Sequence, residues 1–167
     1  MDSHITSPRL LLIPGLGDRI WLYRTVVPLW RLFGHEVSVH AFGWNGERDS
    51  LKDRQARLLQ RAKALSAGQL YVVGASAGGV AAINLLADLP DVAKVITLAT
   101  PLHPKNLPAN ELLESACAQA ASFLDSANSV VRAKVLSVHG TYDRRVPVEL
   151  SKRHDIHSVE ISTKGHG

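Results

Sequence analysis

The stretch that decides the reading is Leu70-Tyr71-Val72-Val73-Gly74-Ala75-Ser76-Ala77-Gly78-Gly79-Val80-Ala81-Ala82-Ile83. Its first part is a short, nearly continuous apolar run, as strands read when both faces of a parallel sheet are covered. Its last part is an alanine-rich helix. Between them lies Gly-x-Ser-x-Gly, in the strand–turn–helix setting that gives this pattern meaning. So sharp a turn forces the serine into a strained backbone, and the crowding of helix and neighbouring strands admits only small residues around it. Ser76 is then projected into the open at a helix amino terminus, which favours developing negative charge. Two plainer readings compete. Ser76 would serve equally as a helix N-cap, and a glycine-rich turn also suggests phosphate binding. Neither Gly-x-Gly-x-x-Gly nor Gly-Lys-Ser/Thr is present, however.

Outward from this turn, strand-like and helix-like segments alternate. Strands are expected at Arg9–Ile13, Glu36–Phe42, Leu70–Gly74, Lys94–Ala99, Lys134–His139 and Ser158–Ser162. Helices are expected at Ile20–Phe33, Ser50–Leu65, Ala77–Leu89, Ala109–Leu124 and Val148–His154. In the Ser50 helix, Leu51, Leu58, Ala62 and Leu65 form one apolar stripe, and Arg54, Arg57 and Arg61 are expected on a solvated face. Strand–helix alternation implies a doubly wound, mainly parallel α/β sheet of about six strands with helices on both faces. Ligands then bind at the carboxyl ends of the strands.

Composition narrows the classes. A chain of 167 residues fits a single domain, residues 1–167, and 46% hydrophobic with 20% charged residues is globular rather than disordered. No apolar run approaches the roughly 20 residues of a membrane helix, and the first residues lack the basic-then-apolar pattern of a secretion signal. Cys117 is alone, which excludes an intrachain disulfide and a cysteine-rich metal site and fits a cytoplasmic setting. The formal net charge of +4 is scattered, without zinc-finger spacing or a basic–aromatic pattern, so nucleic acid is not expected as a partner.

Two further loops carry chemistry-bearing residues. After the next-to-last strand comes His139-Gly140-Thr141-Tyr142-Asp143-Arg144-Arg145-Val146-Pro147, where Asp143 is either a turn residue or a carboxylate placed to hold an imidazole. After the last strand comes Lys164-Gly165-His166-Gly167, a histidine between glycines. The order Ser76, Asp143, His166, each following a strand, resembles the α/β-hydrolase superfamily over nearly the entire chain. The serine turn, the His-Gly-x-x-Asp-x-x-Val-Pro stretch and the Gly-His-Gly stretch carry the likeness. It implies Ser76 as nucleophile, Asp143 as acid and His166 as base.

The resemblance also implies an oxyanion hole made by the Leu16 and Ala77 amides. The first loop, Ile13-Pro14-Gly15-Leu16-Gly17-Asp18, has Pro14 where relatives often carry histidine. His103 is the rival base; His139 is expected to pack at a strand end, and His35 and His40 read as structural. Only Thr100 to Pro108 separates a strand from the next helix, so no lid domain and a rather open site are expected, with Trp21, Trp44 and Leu102 as candidate lining. No cofactor and no metal is implied. The expected activity is a serine esterase acting on a small-molecule ester or acyl substrate. An acyltransferase of the same fold and a non-catalytic hydrolase-like ligand- or protein-binding module are the alternatives. Relatives usually continue into a helix over one sheet face beyond the histidine, so the chain reads as a minimal form or a fragment. An uncovered apolar face there leads to the expectation of a homodimer.

Overall fold

The computed structural model describes residues 8–45, 48–66, 69–105, 107 and 110–164. Six strands are present: β1 (Arg9–Ile13), β2 (Glu36–Val39), β3 (Leu70–Ala75), β4 (Lys94–Leu98), β5 (Val135–Tyr142) and β6 (His157–Lys164). The helices are α1 (Val26–Leu32), α2 (Leu51–Leu65), α3 (Ala77–Asp88), α4 (Glu111–Ser126), α5 (Ser129–Arg132) and α6 (Val148–Ser151), with a 3₁₀ turn at Ile20–Arg24. The strands form one all-parallel sheet in the order β2-β1-β3-β4-β5-β6. The doubly wound sheet expected from the sequence is therefore what the chain builds.

The strand order dictates the layers. Only the step from β1 to β2 runs backward, and right-handed crossovers then send α1 to one face and the later helices to the other. Leu11, Ile13, Val72, Val95 and Val135 pack on one face with Leu58, Ala62, Val80, Ile83, Leu113 and Leu124 from α2, α3 and α4. The intervening residues Leu12, Val37 and Val73 face the other way, toward Tyr23, Val27 and Trp30. Register partners carry this second face on from Val73 through Ile96, Leu136 and His157, and through Leu98, Val138 and Val159 alongside. There Leu98, Val159 and Ile161 are exposed. No helix of the described residues is long and apolar enough to cross a membrane.

Local chemistry sets the boundaries. The Ser50 hydroxyl accepts the Asp53 amide at 3.2 Å while the Asp53 carboxylate accepts the Ser50 amide at 3.2 Å, a capping box that starts α2 where the pattern predicts. Two expectations are corrected. The arginine-bearing face of α2 is not uniformly solvated: Arg54 is 2% exposed, and its Nε donates to the Asp49 carbonyl at 3.0 Å. It lies four residues before Leu58, within the buried stripe, and a partnered guanidinium tolerates that position. The segment expected as one helix over Ile20–Phe33 is a 3₁₀ turn followed by the short α1.

Candidate active site

The turn after β3 is held in a conformation that side chains rarely adopt. Ser76 has φ 51° and ψ −124°, a strained geometry for any residue with a Cβ. Three hydrogen bonds fix it. The Ser76 amide donates to the Leu98 carbonyl at 2.7 Å, and the Ser76 carbonyl accepts the Gly79 amide at 3.0 Å and the Thr100 hydroxyl at 2.9 Å. The small neighbours are needed for space. A methyl on Gly78 would meet the Pro14 carbonyl oxygen at 2.5 Å, one on Gly74 the Gly78 carbonyl carbon at 2.5 Å, and one on Gly79 Thr100 Cγ2 at 2.8 Å. Thr100 is fully buried and carries no sequence signal beyond its place after β4.

The loop after β1 lies directly beside the serine. A methyl on Gly15 would stand 3.1 Å from Ser76 Cβ and 3.6 Å from Ser76 Oγ. Gly15 opens a tight turn in which the Asp18 amide donates to the Gly15 carbonyl at 2.9 Å, leaving Leu16 at the turn's shoulder. Neither the Leu16 amide nor the Ala77 amide has a hydrogen-bond partner among the described residues. For Ala77 the reason is general: the first N–H groups of a helix have no acceptor within it. At the amino end of α3, then, the Ala77 amide next to Ser76 has no acceptor among the described residues, and neither does the Leu16 amide, one residue on from Gly15.

Asp143 follows β5 on the same rim, two strands from β3 with β4 between them. That separation is about 10 Å between backbones. Asp143 is 8% exposed, and its Oδ1 accepts the Arg145 amide at 2.8 Å and the Val146 amide at 3.0 Å. The β6 strand runs parallel beside β5 and brings Lys164 level with Tyr142, so the chain leaves β6 at the height of Asp143. His166 lies outside the described residues.

The rival histidines sit elsewhere or are engaged. His103 Nε2 is 2.9 Å from the Lys152 carbonyl. His139 is buried on the face under α6, where Glu160 Oε2 is 3.6 Å from its Nε2. His40 is held below the usual imidazole range, first by burial and then by Arg57 and Arg61, with Asp18 opposing. Among the lining candidates, Trp44 and Leu102 belong to the hydrophobic core, Trp44 with its ring centroid 4.4 Å from that of Phe42, whereas Trp21 is exposed. The buried Cys117 donates to the Pro101 carbonyl and its thiol is pushed up to about 11 by burial, so it is not a poised nucleophile. Among the described residues there is no cluster of three or more metal-ligating side chains.

This sheet order, strained serine turn and acidic rim loop define an α/β-hydrolase fold. Solved structures with the same fold include the monoacylglycerol lipase of Paleococcus ferrophilus, at TM-score 0.72 and 16% identity over 96% of this chain and 88% of that one. The α/β-hydrolase enzyme MGS-MChE2, from a sediment metagenome of the Mar Chica lagoon, aligns at TM-score 0.70 and 16% identity over 96% and 82%. A carboxylesterase structure from the thaumarchaeon Nitrososphaera gargenis aligns at 0.66 and 15% over 99% and 85%. No family model and no curated protein matches the sequence.

Proposed function

We propose that the chain is a serine hydrolase of carboxylic esters that works through an acyl-enzyme at Ser76. The observation that carries this reading is the Ser76 backbone, whose positive φ is sustained by the Thr100 hydroxyl and by three glycines that no larger residue can replace. A turn that serves only to join strand and helix has no need of that strain, whereas a nucleophile that must stand clear of both does. The lipase and carboxylesterase among the similar structures support the ester as substrate class.

In this mechanism His166 takes the Ser76 proton as Oγ bonds to the ester carbonyl carbon. Asp143 orients the imidazole and stabilises its cationic form. The carbonyl oxygen becomes an oxyanion and accepts the Leu16 and Ala77 amides, an effect worth about 2.7–4 kcal/mol per donor. The C–O bond to the leaving alcohol then breaks, and the alcohol departs with the proton from His166. Water, giving a proton to His166, attacks the acyl carbon; Ser76 regains that proton and the carboxylic acid is released. Ser76 is partly exposed, and in this reading the exposed Trp21 is the aromatic surface offered to an acyl chain.

The test is turnover of p-nitrophenyl esters of increasing chain length by the parent, Ser76→Ala, His166→Ala and His103→Ala. The reading expects loss of turnover in the first two variants and its survival in His103→Ala. Loss in His103→Ala with survival in His166→Ala would replace the base, and equal turnover by Ser76→Ala would overturn the whole proposal.

A further inference from the structure

The rim beside Ser76 contains a carboxylate that the mechanism does not use. Asp18 closes the Gly15–Asp18 turn and is itself held at φ 44°. Glycine takes a positive φ without cost, and aspartate is among the few other residues that visit this region, through its short polar side chain. That side chain spans two loops. Asp18 Oδ1 accepts the Phe42 amide at 2.8 Å and Oδ2 accepts the Trp44 amide at 2.7 Å. Phe42 and Trp44 are both buried in the core, their rings in tilted contact. The β1 loop is thus tied, through one carboxylate, to two residues of the hydrophobic core. A second clip runs alongside, as Asn45 Nδ2 donates to the Leu16 carbonyl.

Both clips act on the turn whose Leu16 amide has no partner among the described residues and whose Gly15 lies against Ser76. A glycine-rich turn left to itself has many conformations, and it would readily rotate an unsatisfied amide toward water. Charge-assisted bonds from one carboxylate to two backbone amides are among the stronger constraints available to hold it. We propose that Asp18 is a positioning residue for the oxyanion hole, with Asn45 as its auxiliary: together they hold the Leu16 amide aimed beside Ser76. This rests on the esterase reading above and adds to it which residues set the donor's geometry.

The experiment compares the parent with Asp18→Asn and Asn45→Ala on a p-nitrophenyl ester, each corrected for folded fraction by thermal unfolding. Asparagine retains one acceptor oxygen and turns an N–H₂ toward one of the two amides, so one clip is lost with little change in volume. A misaimed donor weakens the transition state and not the ground state. Asp18→Asn is expected to lower kcat about 10- to 100-fold with KM within about twofold, and to weaken inhibition by a trifluoromethyl ketone by the same factor. Asn45→Ala, an exposed site that leaves the fold intact, is expected to lower kcat several-fold in the same pattern. If Asp18→Asn does not fold, Asn45→Ala decides alone. A parent that hydrolyses the ester, with variants that retain kcat and inhibition within twofold, overturns the inference while leaving the esterase reading intact. A parent that neither turns over ester nor reacts at Ser76 overturns both.

Discussion

The Thr100 hydroxyl donates to the Ser76 carbonyl at 2.9 Å, tying the residue after β4 to the strained residue after β3. Thr100→Val keeps the volume and removes the donor. The Ser76 carbonyl retains the Gly79 amide, so the expected stability loss is about 1 kcal/mol, with a larger proportional fall in kcat as the turn relaxes. Urea denaturation and ester turnover measure the two effects, and Thr100→Ser is expected to restore both. Unchanged turnover in Thr100→Val would separate the hydroxyl from the serine's geometry.

Gly78 and Gly34 predict opposite sources of cost for the same change. A methyl at Gly78 enters the Ile13 and Pro14 carbonyls, which belong to a central strand and its exit and have no room to move. Gly78→Ala is expected to cost about 3 kcal/mol or more, read as lost soluble protein or a sharply lower unfolding midpoint. At Gly34 a methyl meets nothing within 4 Å, and only the φ of +80° opposes it. Gly34→Ala is expected to cost about 1 kcal/mol and to leave turnover unchanged.

His40 gives the fold an acid-side weakness. Burial, then Arg57 and Arg61, lower its pKa in the folded chain, and Asp18 only partly opposes them. The unfolded chain therefore takes up a proton near pH 6.5, while the folded chain does so only at lower pH. With more protons bound in the unfolded state, stability falls as pH drops through about 6.5 and stops falling below the folded pKa. Urea denaturation between pH 8 and pH 5 should show a steeper loss for the parent than for His40→Gln. Parallel slopes would remove this assignment.

Much of this architecture is written in short-range patterns. The alternation of apolar strands with helices, the helix that begins at Ser50 and the small residues around Ser76 each answer to local physics, and each is found in its expected place along the chain. What escaped depends on contacts between distant segments. The strand expected to run to Phe42 ends at Val39, and the Phe42 and Trp44 amides beyond it bond to the Asp18 carboxylate. The β5 strand runs to Tyr142, past the expected His139, because β6 pairs with it that far through a register shift. Arg54 reads as solvated from its spacing with Arg57 and Arg61 and is buried by its place in the stripe of α2. Asp18 and Thr100 escaped for the same reason, since a carboxylate between two loops and a hydroxyl under a turn have no periodicity. A tell remained at Asp18, an acidic residue closing a Gly-Leu-Gly turn.

The most direct test of the account is the reaction of the folded chain with a fluorophosphonate, followed by intact mass and peptide mapping. The account predicts one phosphonyl adduct per chain on the peptide containing Ser76, absent in Ser76→Ala and in heat-unfolded protein. An unmodified folded chain, or an adduct on another residue that persists in Ser76→Ala, would contradict it.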